Sequence, residues 1–134
     1  MLRMRIGTIA LHAGVSVDTI RHYERKGVLG AIERDPSGYR RYTADTLRRV
    51  TMVRRALVLG FTLDELATVF RQRAAGRPPC RTVRTLAMRK LTETDEHIAQ
   101  LTALRDRLEG IIEQWDARLE KTPEGGFAHL LESL

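Results

Sequence analysis

The feature that most constrains this chain is a heptad repeat in its second half. Between residues 80 and 120, mostly apolar side chains recur every seven positions in two rows, separated alternately by three and four residues. This is the spacing of a coiled-coil seam. The first row is Leu91, Ile98, Arg105, Ile112 and Leu119, and the second is Ala87, Thr94, Leu101, Leu108 and Trp115. The sequence therefore predicts one helix from Cys80 to Leu119 or Glu120, about 60 Å long.

The length of this helix predicts self-association. A helix of about 60 Å cannot pack fully onto a domain of about 75 residues, so a second copy of the chain must cover the rest of the seam, and we expect a homodimer. The seam residues expected to meet the second copy are Leu91, Ile98, Leu101, Leu108, Ile112 and Trp115.

Two breaks divide the chain into three segments. Arg77-Pro78-Pro79 is a stiff break before the long helix, and the stretch from Thr122 to Gly126 contains one proline and two glycines. We therefore expect a first domain at residues 1–76, a dimerisation helix at 77–120 and a C-terminal tail at 121–134. The tail is amphipathic from Phe127 onward and is expected to fold back.

The positive charge is concentrated in the first half of the chain. The 134 residues carry a net charge of +6; residues 1–60 hold 12 basic side chains and 5 acidic ones, whereas the remainder holds 11 and 12. Such an imbalance indicates a polyanion partner for the first 60 residues. The aromatic content of 5% argues against a surface that stacks single-stranded bases.

The start of the chain has the pattern of a helix-turn-helix. A short helix is predicted from Ile6 to Ala13, with Thr8 as its cap, and Gly14 supplies the turn. Ser16 is a suitable N-cap for a second helix that ends before Gly27. Two short helices separated by a glycine-containing turn are typical of DNA-binding domains.

A hairpin and two more helices are predicted before the break. Pro36-Ser37-Gly38 is a strong turn signal, and the tyrosines after it favour an extended strand. Thr43 is expected to cap a third helix that runs through about Leu59. Thr62, with Glu65 three residues later, forms a capping box for a fourth helix that ends near Gly76.

Four motifs in this order resemble the MerR family of bacterial transcription regulators, in its branch of heavy-metal and stress sensors. They are Ile6-Gly7, the run from Gly14 to Leu29, the segment from Gly38 to Tyr42, and the stretch from Leu59 to Leu66. The resemblance implies a mostly α-helical fold. A winged helix-turn-helix DNA-binding domain is followed by a long antiparallel coiled-coil dimerisation helix, and the tail belongs to the effector region.

The resemblance also implies a function. Family members bind, as homodimers, an inverted-repeat operator between promoter elements whose spacing is too long. The activating form twists the DNA so that RNA polymerase meets both elements on one face. The chain is therefore expected to bind double-stranded promoter DNA, to affect RNA polymerase indirectly through the promoter, and to respond to an effector near the dimerisation helix.

The candidate DNA-binding residues lie in the second helix, the wing and the third helix. Arg21 is the strongest candidate for a base or phosphate contact, because its guanidinium fits a guanine edge. Tyr23 is expected either to contact a phosphate or to pack at the helix junction. Arg54 and Arg55 are expected either to contact phosphates or to lie on a solvated helix face. The full set is Ser16, Asp18, Thr19, Arg21, His22, Tyr23, Tyr39, Arg40, Arg41, Arg54 and Arg55.

Cys80 is the only cysteine and leaves the effector open. At a helix start among arginines it is expected to favour a thiolate. Metal-sensing relatives add further cysteines after the dimerisation helix, and this chain has none there. Three alternatives remain. Cys80 forms a mixed metal site with Glu124 or His129 of the second copy, which suits zinc or another divalent ion. Otherwise it is a redox or electrophile sensor, or a structural cysteine without a sensing role.

Other classes of protein fit the sequence less well. No nucleophile–base pair, HExxH motif or phosphate loop is present, so we do not expect an enzyme. No signal segment or run of 18 apolar residues occurs, so the expected location is the cytoplasm, without a membrane partner. A coiled-coil adaptor that binds RNA is the alternative outside transcription regulation, and the wing motif counts against it.

Overall fold

The structure, a computed structural model, describes residues 4–134, and helices dominate this range. Contacts divide the chain into a first unit that ends at Lys90 and a second unit, Leu91–Leu134. The helices are α1 (Ile6–Ala13), α2 (Val17–Arg25), α3 (Ala44–Val58), α4 (Leu63–Ala74) and α5 (Cys80–Glu120), followed by a short 3₁₀ helix at Leu131–Ser133.

The helix-turn-helix is confirmed, but the predicted cap of α1 is wrong. The helix begins one turn earlier than a Thr8 cap requires, because the carbonyl of Arg5 accepts hydrogen bonds from the amides of Thr8 and Ile9 at 3.0 and 3.1 Å. Ser16 does cap α2, and its hydroxyl accepts from the amide of Thr19 at 3.0 Å. Gly14 ends α1 with a φ of +69°, a left-handed conformation that favours glycine.

The hydrophobic core of the first unit holds α1 to α4 together. Apolar side chains from all four helices meet there, and several of them are fully buried. The burial of such side chains is the main source of folding free energy in a domain of this size. Its buried members are Ile9, Ala10, Ala13, Ile20, Tyr23, Val28, Leu29, Tyr42, Val50, Val53, Leu66 and Ala67.

The predicted hairpin forms, but without a regular strand in the described residues. Two isolated antiparallel bridges pair Met4 with Tyr42 and Arg34 with Arg40. Pro36-Ser37-Gly38 makes the turn as predicted, and Gly38 has a φ of +87°. This hairpin is hereafter called the wing, residues 33–42. Its pairing is too short for an extended ladder, so its geometry depends on side-chain contacts as well.

The third and fourth helices begin with capping boxes. Thr43 and Thr46 form the box of α3, and Thr62 and Glu65 form the predicted box of α4. In the latter, the Glu65 carboxylate accepts from the amide of Thr62 at 2.9 Å. These reciprocal bonds satisfy amide groups that a helix start leaves without partners.

The long helix is confirmed as α5, with 41 residues. None of its residues is buried in the single chain. The tail folds back within the second unit, as predicted. The indole Nε1 of Trp115 on α5 donates a hydrogen bond to the hydroxyl of Ser133 in the tail, at 3.1 Å. The contacts divide α5 between Lys90 and Leu91, so a functional division at residue 77 stays a prediction.

Candidate nucleic-acid interface

The exposed face of α2 presents polar side chains near the start of the helix. Asp18, Arg21 and His22 are all exposed, as predicted, and Arg21 lies 3.7 Å from the carboxylate of Asp18. Ser16 and Thr19 are engaged with each other through their hydroxyls at 2.8 Å. Arg21 is therefore a cation held on the outer face of a short, well-capped helix.

A buried carboxylate organises the wing. Asp35 is only 8% exposed, and its Oδ1 accepts from the amide of Ser37 at 3.0 Å, from the hydroxyl of Ser37 at 2.8 Å and from the amide of Tyr39 at 3.0 Å. The Asp35 amide donates in turn to the Tyr39 carbonyl at 2.9 Å. The result is a fixed turn that holds the Tyr39 side chain outward, 71% exposed.

A cleft lies between α2 and the wing. Its volume is about 810 Å³, and no acidic side chain among the described residues lines it. Four arginines, from three separate parts of the chain, contribute to its walls. The lining residues are Met4, Arg5, Ile6, Arg21, Arg34, Gly38, Tyr39, Arg40 and Tyr42. Such a concentration of guanidinium groups suits phosphate oxygens, which accept their hydrogen bonds.

Two of the residues that line the cleft, Arg40 and Tyr42, have different polar surroundings. Arg40 donates from Nε to the carboxylate of Glu24 on α2 at 2.8 Å. Tyr42 is 3% exposed, and its hydroxyl has no hydrogen-bond partner in residues 4–134. Burial raises the pKa of Tyr42, and the nearby Glu24 raises it further, while Arg40, Arg21 and Arg34 oppose the shift. The phenol therefore stays protonated and remains a donor.

The structure separates the two adjacent wing arginines. Arg40 lines the cleft with α2, whereas Arg41 lines a second cavity of about 260 Å³ with Glu33, Thr43 and Asp45. The Nε of Arg41 is buried and has no hydrogen-bond partner within the described range. Successive side chains of an extended segment point to opposite sides. Of these two arginines, therefore, Arg40 lines the same cleft as Arg21 and Arg41 does not.

The remaining predicted contacts fall into different environments. Tyr23 is 5% exposed in the core, and burial raises its pKa while Arg54 opposes the shift. Arg54 donates to the carbonyl of Ala13 at 3.0 Å, which satisfies the end of α1. Arg55 is exposed beside a cavity that Val58 also lines. These contacts favour structural roles for Tyr23 and Arg54.

Three residues in or beside the cleft were not predicted from the sequence. Arg5 and Arg34 line the cleft, and Glu24 holds Arg40. The turn signal contained part of this information, because a hairpin centred on residues 36–38 places Arg34 opposite Arg40. The ion pair between Glu24 and Arg40 joins residues 16 positions apart, and no local sequence pattern predicts it.

The apolar seam of α5 is uncovered in the single chain. Its five aliphatic members are about half exposed, from 49% at Leu108 to 56% at Ile98. Trp115 is half-buried. A row of exposed apolar side chains along one helix face is typical of a surface that associates with another chain. The remaining aliphatic members are Leu91, Leu101 and Ile112.

The described residues of a single chain do not form a complete site for a metal ion. Cys80 is exposed at the first position of α5. His129 lies 4.0 Å from Glu132, next to the Phe127 ring, and Glu124 is exposed. No three His, Cys, Asp or Glu side chains within residues 4–134 come together as a ligand set, whereas structural zinc needs four ligands.

In the part of the chain that the structure describes, no helix has the length and apolar character needed to cross a membrane.

Comparison with known proteins identifies the family. The family profile described as MerR HTH family regulatory protein matches residues 4–73, and the profile described as MerR, DNA binding matches residues 47–111. Nodulation protein NolA of Bradyrhizobium sp. (strain NC92) is 36% identical over 117 residues, 87% of this chain; the chain spans 46% of that relative's length.

Two further similarities cover most of both proteins. The mercuric resistance operon regulatory protein of Pseudomonas fluorescens is 36% identical, with 83% of this chain and 73% of that protein covered. The crystal structure of the transcription regulator PbrR691 from Ralstonia metallidurans CH34 in complex with lead(II) matches with a TM-score of 0.72 at 28% identity, over 82% of this chain and 86% of that one. The protein is therefore not an enzyme but a DNA-binding transcription regulator, and it belongs to the MerR family of helix-turn-helix regulatory proteins.

Proposed function

We propose that a homodimer of this chain binds an inverted-repeat operator within a promoter and switches transcription by distorting the DNA. The observation that carries this proposal is the arginine-lined cleft between α2 and the wing. A recognition helix in the major groove and a wing against the backbone are the standard arrangement of winged helix-turn-helix proteins.

The proposed contacts divide into base readers and phosphate binders. Arg21, with Asp18, Thr19 and His22 beside it, reads base edges from the outer face of α2. Tyr39 and Arg40 bind phosphates from the wing, and Arg34 and Arg5 add to the positive potential of the cleft. Ser16 lies at the N-terminus of α2, where backbone amides favour a phosphate. Arg41, Arg54 and Arg55 are weaker candidates.

The proposed dimer uses the exposed seam of α5. The leucines and isoleucines of the seam are about half exposed in the single chain. Pairing with a second, antiparallel copy removes them from water, which stabilises the dimer. Dimerisation also supplies two copies of α2, which matches an operator with two half-sites. RNA polymerase is affected through the geometry of the promoter.

A binding selection tests this function. The full chain selects from a pool of randomised 40-base-pair duplexes, and the recovered sequences are examined for an inverted repeat. Mobility shifts then compare the selected duplex with RNA of the same length and sequence. A preference for the palindromic duplex supports the regulator, whereas equal or tighter binding to RNA supports the coiled-coil adaptor. Sedimentation of the free protein shows whether it is dimeric.

The effector is proposed to act at Cys80. Its exposure at the start of α5 makes the thiol accessible, and the similarity to a mercuric resistance regulator and a lead-bound regulator favours a metal ion. Because residues 4–134 of one chain bring together no complete ligand set, the proposed metal site uses Glu124 or His129 of the second copy, with zinc or another divalent ion.

Two alternatives to a metal remain at Cys80. The thiol reacts with an oxidant or electrophile, or it is structural and the sensor lies elsewhere. Metal analysis and thiol titration of protein purified under reducing conditions separate these cases. Stoichiometric metal with a protected thiol supports the metal site, a free reactive thiol supports the redox sensor, and an inert thiol without metal supports the structural role.

A further inference from the structure

We infer that Glu24 is a positioning residue for DNA binding, which acts by holding the guanidinium of Arg40 in the orientation that receives a phosphate. This inference rests on the proposed function, because it requires Arg40 to lie at the DNA interface. It assigns a role to an acidic side chain in a segment with an excess of basic residues, since residues 1–60 hold 12 basic side chains and 5 acidic ones.

The location of Glu24 is unfavourable for a carboxylate without a partner. It is the last residue but one of α2, where the helix dipole favours positive charge, and the basic residues of that turn are His22 and Arg25. Its side chain is only 19% exposed. A partly buried negative charge at a helix C-terminus costs stability unless it is paired.

The pairing joins two elements that are distant in sequence. Arg40 Nε donates to Glu24 Oε1 at 2.8 Å across 16 residues, from the wing to α2. The bond uses one edge of the guanidinium. No other hydrogen bond joins Arg40 to the residues described, and its side chain is 43% exposed. Within the described residues, the two terminal nitrogens therefore have no hydrogen-bond partner, and Arg40 lines the cleft whereas Glu24 does not.

This geometry reduces the ordering required on binding. A free arginine samples many rotamers and loses that freedom when it contacts a phosphate. Arg40 is already ordered by Glu24, so less freedom remains to be lost. The same bond fixes the wing relative to α2, and it therefore sets the distance between the phosphate contact at Arg40 and the base contact at Arg21.

A double-mutant cycle tests the inference. The variants are Glu24→Ala, Arg40→Ala and the combination of both, measured by mobility shift on the duplex selected by the wild-type chain. We expect Glu24→Ala to weaken binding about threefold to tenfold when Arg40 is present, the effect of leaving one flexible side chain unordered. In the Arg40→Ala background the same change should not weaken binding, because there is no guanidinium left to orient.

Three controls separate positioning from charge and from folding. Asp64→Ala removes another carboxylate of the same unit, one that is 85% exposed and lies 3.6 Å from the ammonium group of Lys26. This variant reports the general gain in DNA affinity from a lost negative charge. Glu24→Gln retains an oxygen that accepts from Arg40 Nε and should preserve most of the affinity. Thermal unfolding of each variant by circular dichroism shows whether the fold is retained, and Glu24→Gln keeps the test valid if Glu24→Ala does not fold.

Each outcome supports or overturns the inference. Tighter binding by Glu24→Ala and Glu24→Gln, beyond the gain seen with Asp64→Ala, would show that Glu24 competes with the phosphate. Equal loss with and without Arg40 would show a structural role for Glu24. If Arg40→Ala binds as well as the wild type, Arg40 lies outside the interface and the inference fails. If the wild-type chain selects no duplex, the proposed function fails first and the inference with it.

Discussion

The ammonium group of Lys90 lies 2.8 Å from the carboxylate of Glu65, and this ion pair ties the first turns of α5 to the start of α4. Both side chains are partly buried, at 17% and 19% exposure. The same carboxylate closes the capping box of α4 by accepting from the amide of Thr62. Glu65 therefore serves two helices.

Loss of this pair should destabilise the first unit and alter its acid sensitivity. The hydrogen bond from Lys90 and that from the Thr62 amide, in this order, lower the pKa of Glu65 from its ordinary value of about 4.5. A carboxylate with a lowered folded-state pKa stabilises the fold fully above its unfolded-state pKa and loses that contribution as the pH falls through the folded-state value.

We therefore expect Lys90→Met to lower the free energy of unfolding by about 1–2 kcal/mol at pH 7, with a smaller difference from the wild type below the folded-state pKa of Glu65. Urea unfolding at pH 7 and at a series of acidic pH values measures this. Arg89→Met, the exposed neighbour on α5, is the matched control. A constant difference between Lys90→Met and the wild type across the series would contradict the account.

The wing offers a second prediction. Asp35→Ala removes the acceptor of three hydrogen bonds from the turn, so the amides of Ser37 and Tyr39 should exchange with solvent faster, by about tenfold or more, since each such bond to a charged group contributes about 1.5–3 kcal/mol. Hydrogen exchange followed by NMR measures both amides. Glu33→Ala, an exposed carboxylate of the same wing, should leave their rates unchanged; similar acceleration in both variants would refute the special role of Asp35.

Most of the fold could be predicted from local sequence signals, because caps, turns and heptads act over a few residues. Ser16, the Thr62–Glu65 box and the full extent of α5 are examples. The details of the cleft could not be predicted in this way. The bond between Glu24 and Arg40, and the use of Arg54 to satisfy the end of α1, depend on elements that only the packed core brings together.

The third prediction concerns sequence readout. Arg21→Ala should weaken binding to the selected operator by about tenfold to a hundredfold, as expected for loss of a good base contact, and binding to random duplex much less. Arg25→Ala removes an exposed arginine from the other end of α2 and serves as the control for charge. Competition mobility shifts with operator and random DNA give the ratio. Equal losses on both would exclude base reading by Arg21.

The fourth prediction concerns Cys80. In an antiparallel dimer the two α5 helices begin far apart, so the two thiols should not approach within the ~7 Å between Cα atoms that a disulfide requires. Cys80→Ser should therefore leave the dimer and operator affinity nearly unchanged and should abolish the transcriptional response to the effector. Transcription in vitro, with candidate divalent metals and oxidants added one at a time, measures this. A full response by the mutant would assign sensing to another part of the chain.

The last prediction concerns the seam. Leu101 lies in the middle of the second heptad row and is 54% exposed in the single chain, so a dimer would bury it against the second copy. Leu101→Asp places a charge there without a partner, which costs several kcal/mol unless the helices separate. Ala103→Asp adds the same charge two residues later, about 200° around α5 and away from the seam. Sedimentation equilibrium at micromolar concentration should therefore find Leu101→Asp monomeric and Ala103→Asp dimeric. A dimeric Leu101→Asp would mean that the second copy packs along another face of α5.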